Sequence, residues 1–494
     1  MSSEKTVVVE TDLPYEAVDG LSSFFERYYI LANRRYLDQA SYQKTKSNGT
    51  WTFFWKLSVP EREQQSVLLD SHLKIDQGSV ELSFRDLDDN DPRQQALRAR
   101  TVDDVQNIVW SFLQNAKTTD LYFVVGSDDE RHSEAPSEGG STNRSVLKRI
   151  LSGNSANVFL LFMLLSFVLF FTIGFYALFF LIASQFVYLF YADKIMLNMG
   201  NVRPTSERPL ASVVSVRTNS ETISFLRKHG KKILGEIRSS VSNLHVMQSV
   251  DNSVVAATIQ DLKSSIIAIL SRYGISVSPD DIEIKTKNVY GIVQKIAEKF
   301  HQPVPKIVIV NSTVSNASAT GISAKRSSIM ITAGSLHDLT DQELETIIGH
   351  ELGHVKGHDP VILFGVTGFQ FVGMFYLWYP LVEFLGLFYF LVAFSVIFAI
   401  GKVLETRADT ESAIVLGDPQ AFADSLKKIG FRELYREKYN PISKLLDWFR
   451  FDPHPPTYFR VSRMSEFIGK TSIVKHAFLI SLRDCVVGFF SAFS

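Results

Sequence analysis

With a single cysteine, Cys485, the chain can close no internal disulfide and has no thiolate set for a structural zinc site. Excess charge is also missing. The 51 Lys and Arg stand against 52 Asp and Glu, so the net charge of -1 gives no electrostatic case for nucleic acid as a partner. The opening MSSEKTVVVETD lacks the apolar run of a secretory leader, and no export of the N-terminal part is expected. Two long stretches are almost without charge. Residues 158–191 carry none, and residues 361–400 carry only Glu383.

Those two stretches divide the 494 residues. At about 1.5 Å per residue, the first would make a helix of about 50 Å and the second one of about 60 Å, against a hydrocarbon core of about 30 Å. Each is therefore expected to cross a membrane twice, the first turning near Gly174 and the second near Pro380 and Glu383. Basic residues flank both ends of the first (Arg144, Lys148 and Arg149 before; Lys194, Arg203 and Arg208 after), which keeps both ends on the cytoplasmic side. The expected fold class is α+β: a polytopic helical membrane protein with about four transmembrane helices as two hairpins and an N-terminal α+β domain. Residues 1–125 read as a soluble domain of strands and helices, with Thr101 capping a helix to about Asn115 and Leu121–Val125 as the closing strand. Residues 126–150 read as a linker, 151–193 as the first hairpin, 194–360 as a mostly helical cytosolic region, 361–402 as the second hairpin, and 403–470 as the return to the soluble side. Residues 471–494 form an apolar tail, which is either a core helix or an interfacial one.

The chemistry lies in Thr340–Asp359, TDQELETIIGHELGHVKGHD. Thr340 with Glu343 makes a capping box, and Leu344, Ile347 and Ile348 recur at helical spacing as a buried face. His350 and His354 then stack on one side, one turn apart, with Glu351 beside them. In this H-E-x-x-H arrangement two neutral imidazoles bind zinc and the carboxylate serves as general base. The competing reading is a helix with two solvated histidines, so a third ligand has to be found. His358 lies a further turn along, but three ligands at i, i+4 and i+8 spread over about 12 Å, too far for bonds near 2 Å. Past the second apolar stretch, Glu405 and Asp409 share one helical face, as a ligand and a carboxylate supporting a ligating imidazole would. An even number of crossings returns Glu405 to the side of His350 and His354. Just before the metal helix, Asn316, Ala317, Ser318 and Ala319 belong to a hairpin of small residues. Its edge is either an ordinary strand edge or a place for an extended peptide to add.

Together these residues resemble the membrane-bound gluzincin peptidases of the HtpX and CAAX-prenyl-protease family. The resemblance runs from about Val289 to Met464 and includes NASATG, the HELGH helix, ETRAD, and Asp452-Pro453-His454-Pro455-Pro456-Thr457 with Arg460. It implies a mainly helical zinc-protease domain holding one zinc ion per chain on His350, His354 and Glu405. By the same resemblance Glu351 is the general base, Asp409 supports the site, and His454 and Arg460 act at the site or on the substrate. Four crossings resemble the HtpX branch, from whose usual layout the N-terminal domain departs. The expected function is an endopeptidase at the cytoplasmic face of a prokaryotic plasma membrane, clearing misfolded membrane proteins. Its expected partners are protein or peptide substrates and the lipid bilayer. A site-specific processing protease and a non-catalytic membrane scaffold are the alternatives.

Overall fold

The computed structural model describes residues 5–125, 168–217, 232–237, 252–373, 383–437, 441–467 and 477–493, apart from short gaps within these ranges. The expected linker, the first arm of the first hairpin and Pro380 lie outside the described residues. Two compact units form: residues 1–118 with 431–435, and residues 119–430 with 436–494.

In the first unit β1 (Lys5–Glu10), β2 (Gln43–Ser47), β3 (Thr50–Glu61), β4 (Gln64–Ile75) and β5 (Ser79–Arg85) make an antiparallel sheet in the order β1-β5-β4-β3-β2. Alternation along β3 sends Phe53 and Trp55 into the core, against Phe25 and Tyr29 of the segment that begins with α1 (Tyr15–Phe25). Helix α2 runs over Pro92–Ala116, so it starts well before Thr101. Asp91 accepts from the Arg93 backbone N–H and Pro92 takes the first turn, which makes a better start than the one expected at Thr101. The Thr101 hydroxyl is buried mid-helix and donates to the Leu97 carbonyl.

The second unit begins with β6 (Asp120–Val125), the strand expected to close the N-terminal domain. It pairs instead with β7 (Leu210–Arg217), which also pairs with β8 (Ile282–Asn288), inside a region expected to be mostly helical. As the central strand, β7 is buried on both faces. Ala211 and Val213 join the core of the metal domain, while Val214 and Val216 pack on a second cluster with Leu262 and Ile266 of α4 (Asn252–Arg272). A strand apolar on both sides has no period-2 signal, which is why alternation did not reveal it.

After α5 (Val289–Lys299), β9 (Lys306–Val310), β10 (Ala317–Ser323) and β11 (Arg326–Thr332) form a sheet in the order β10-β11-β9, leaving β10 at an edge. Short α6 (Ala333–Asp338) leads to α7 (Asp341–Gly357), which opens on the expected capping box: the Thr340 hydroxyl accepts from Glu343 N–H, and the Glu343 carboxylate from Thr340 N–H. Leu344, Ile347, Ile348 and Leu352 are buried in the core. His358, in the left-handed region at φ 57°, ends α7 and turns the chain sharply into α8 (Asp359–Val372).

The chain returns along α9 (Leu387–Leu416), a single helix joining the apolar stretch to ETRAD. Asp359 meets Arg407 at one end of the α8–α9 pair and Gln370 meets Tyr389 at the other, so the two helices run antiparallel. Helices α7 and α9 cross closely, because Gly353 brings its backbone against Ala408 and a Cβ there would be 3.3 Å from that residue. Then follow α10 (Pro419–Ile429), α11 (Pro441–Phe449), α12 (Thr457–Phe467) and α13 (Ala477–Ser491). Helix α13 packs Ser481 and Cys485 against Thr410 and Thr406 of α9, while Phe478, Val487 and Phe490 face outward.

Within α3 (Tyr176–Met199), the run Phe179–Met199 is apolar and long enough to cross a membrane, and it is the one such helix among the described residues. The structure therefore gives one candidate span where four were expected. Gly174, where the turn was expected, has φ 58°, in the left-handed region that favours glycine.

Phe422 of α10 is fully buried beside the His350 ring. Phe422→Ala should destabilise the second unit by about 3–5 kcal/mol, seen as a lowered unfolding midpoint. An unchanged midpoint would show that this core does not hold the metal helix in place.

Candidate metal centre

Helix α7 places His350 and His354 one turn apart, with ring centroids 4.6 Å from each other and planes at 87°. Helix α9 brings Glu405 to both. Its carboxylate oxygens are 3.3 Å from His350 Nε2 and 3.4 Å from His354 Nε2, and the two Nε2 atoms are 3.1 Å apart. A tetrahedral ion with bonds of about 2.0–2.1 Å would hold neighbouring ligand atoms about 3.3–3.4 Å apart. The His-His-Glu triad of a gluzincin zinc-protease site is thus present, with a spacing that fits zinc.

The outer nitrogens fix which atoms face inward. His350 Nδ1 lies 2.8 Å from Asp409, and His354 Nδ1 lies 2.7 Å from Asp359. Facing carboxylates, these nitrogens carry the protons, so both Nε2 lone pairs point at the Glu405 carboxylate. Three acceptors then converge with no donor among them, and only a cation resolves that. A proton is one such cation. Burial works against an imidazolium at His350, but the hydrogen bonds and charges of Asp409 and Glu405 outweigh it and push its pKa up to about 10. Burial would likewise raise the carboxyls of Glu405 and Asp409, yet the surrounding histidines, and Arg460 beside Asp409, hold both well below the usual range.

Each outer carboxylate has an arginine behind it. Arg460 of α12 makes two bonds to Asp409, at 2.7 and 2.9 Å. Arg407 is buried and donates to Asp359 at 2.7 Å, to the Gly353 carbonyl, and to Glu411. Gly357 leaves room for that guanidinium, since a Cβ there would collide with it. Glu351 is buried on the same helix, in the turn of His350 and His354. His454 is exposed on the open side, its Nε2 3.7 Å from Glu405 and its Nδ1 2.7 Å from Asp452. The Glu405 charge, with the hydrogen bond to Asp452, raises the His454 pKa. Lys402 anchors the loop that carries His454 by donating to the carbonyls of Arg450 and Asp452.

Of the sequence candidates, His350, His354, Glu405, Asp409 and Arg460 are joined in one chain of contacts, with His454 at its margin and Glu351 on the metal helix. None of them bonds to Asn316, Ala317, Ser318 or Ala319: the Asn316 N–H donates to the Thr332 hydroxyl and its carbonyl accepts from the Thr332 and Ser335 hydroxyls, and Ala317, Ser318 and Ala319 pair with Ile331, Met330 and Ile329 on the inner side of β10. Asp359 and Arg407 were missed by the sequence reading. Asp359 follows His354 by five residues, across a helix end that spacing alone does not reveal, and Arg407 comes seven residues after the second uncharged stretch, where a basic residue reads as an ordinary flank.

Residues 283–468 match Peptidase family M48. A Protease HtpX homolog from Pyrococcus abyssi is 30% identical over 223 residues, covering 39% of this chain and 77% of that protein. The chain belongs to peptidase family M48. A Protease HtpX homolog from Thermodesulfovibrio yellowstonii is 27% identical over 227 residues, covering 40% and 79%. Among solved structures, S. mikatae Ste24p is 16% identical with a TM-score of 0.27, over 49% of this chain and 64% of that one, a likeness that carries no argument. The M48 match takes in α7, the return helix α9 and the His454 loop, and it leaves out residues 1–118 and α3.

Two outcomes follow for metal loading. Asp359→Asn should weaken zinc binding about 10–100-fold, measured by competition with a chelating dye, because His354 loses the group that orients it. Zinc binding at pH 7 should release about one proton, since His350 holds one below a pKa of about 10, and affinity should fall as pH is lowered. Calorimetry in buffers of different ionisation enthalpy reads that release, and no release would contradict the assignment of His350.

Proposed function

We propose that this M48 protein is a membrane-integral zinc endopeptidase of the HtpX type, working at the cytoplasmic face of a membrane on misfolded membrane proteins. The observation that carries the hydrolase reading is the meeting of two imidazoles and Glu405 around one point, with Glu351 on the same helix. His350, His354 and Glu405 would hold one zinc ion. That ion supplies a Lewis acid for the scissile carbonyl and lowers the pKa of water towards 7.

The protein's own groups do the rest. Glu351 accepts a proton from the attacking water and passes it to the leaving amine. His454, on the open side and with a raised pKa, is the group placed to donate to the developing oxyanion. Arg460 spends both its bonds on Asp409, so it is read as positioning His350 through that carboxylate. An extended substrate would add to the outer edge of β10, which has no strand partner among the described residues and where Ala317, Ser318 and Ala319 offer main chain rather than bulk.

The bilayer reading is supported by α3, whose Phe179, Phe180, Phe186 and Val187 are exposed, and by the antiparallel pair α8–α9 carrying the second uncharged stretch. Both features fit two hairpins that return each chain end to the metal side. The quality-control role and the HtpX branch draw on the Protease HtpX homologs, the substrate strand on its small side chains.

Glu351→Gln tests the mechanism. It should retain zinc and lose casein hydrolysis by at least about 100-fold, the scale of a lost general base. Undiminished hydrolysis would remove Glu351 from the reaction. Equal loss of zinc would make it structural.

A further inference from the structure

Three elements carry the metal centre close to the apolar stretches. Asp359, which orients His354, is the first residue of α8, and no charged residue follows it on that helix. Glu405 comes five residues after Ile400, the end of the second uncharged stretch, on the same helix. That is an axial rise of only about 7–8 Å. The third element is β10 itself. It packs against α7, which carries the histidines, and also against α3 and α8. The turn that ends it brings the Arg326 guanidinium over the ring of Phe190 at 3.9 Å and onto the Phe190 carbonyl. Phe190 and Tyr191 are exposed on α3 just before Asp193 and Lys194, with Lys194 over the Tyr191 ring. Aromatic residues followed at once by a lysine are what a helix carries where it leaves the hydrocarbon.

One strand edge therefore runs from the metal helix to the point where α3 emerges. Its seven residues span about 23 Å at about 3.3 Å each. Its small side chains grip main chain and read little sequence. We infer that the site selects by height above the membrane: it takes membrane-anchored polypeptides in extended form and cuts them within about ten residues of their exit from the bilayer, whatever the local sequence. This rests on the peptidase and bilayer readings above and adds where along an anchored chain the cut falls.

The test uses the full chain in proteoliposomes with a single-pass anchor whose helix continues above the membrane as a rigid Glu-Ala-Ala-Ala-Lys spacer. The spacer has 5 or about 30 residues, lifting a short unstructured segment by about 1.5 Å per residue, and a stable folded domain caps the segment. The long spacer is expected to slow cleavage of that segment at least tenfold. Equal rates for the two spacers, with casein still cleaved by the detergent-solubilised protein, would overturn the inference and leave the peptidase reading standing. No cleavage of anchored substrate or casein by zinc-loaded protein would sink both.

Discussion

The centre depends on a conflict between like groups. Two imidazole nitrogens and a carboxylate are held 3.1–3.4 Å apart, with a single proton on His350 to share among them at neutral pH. Left to relax, such groups would separate. They stay together because each histidine is fixed from behind by a carboxylate, and each carboxylate by an arginine. One brace runs from His350 through Asp409 to Arg460, and the other from His354 through Asp359 to Arg407. Breaking a buried pair of this kind leaves an unpaired charge, which costs about 3–5 kcal/mol. The braces therefore keep the acceptors converged and ready for a divalent ion.

Both braces use residues on either side of the second uncharged stretch. Asp359 precedes it, Arg407 and Asp409 follow it, and Arg460 comes from a helix further on. Close approach of α7 and α9 at Gly353 and Ala408 gives these groups their reach. The excursion of α8 and α9 and the assembly of the site are consequently one structural event, because Glu405 lies on the same unbroken helix as the returning apolar segment.

The body of the metal helix was legible in the sequence, but its end was not: His358, expected a further turn along, instead terminates the helix in the left-handed region. Its cap, its buried stripe and the stacking of His350 on His354 all follow from periods that a helix imposes on neighbours in the chain. Glu405 was legible by a different route, through the helical face it shares with Asp409 four residues on. Asp359 was not, since its contact with His354 passes around the left-handed corner at His358, which helical spacing does not anticipate. The helical reading of residues 210–217 failed for a related reason: β7 is covered on both faces by partners remote in sequence, so apolar residues fall on both faces without alternation and its local pattern says nothing of a sheet. The early start of α2 was hidden by a polar first turn, where Asp91 and Pro92 outweigh the weaker signal at Thr101.

The central claim is that Glu405 completes the centre formed by the HELGH helix. Competitive zinc titration of the full-length protein, wild type against Glu405→Gln, tests it most directly. The account expects binding at least about 100-fold weaker in the variant, on the scale of a lost first ligand rather than a lost orienting partner. Unchanged zinc affinity in a folded Glu405→Gln protein would contradict it.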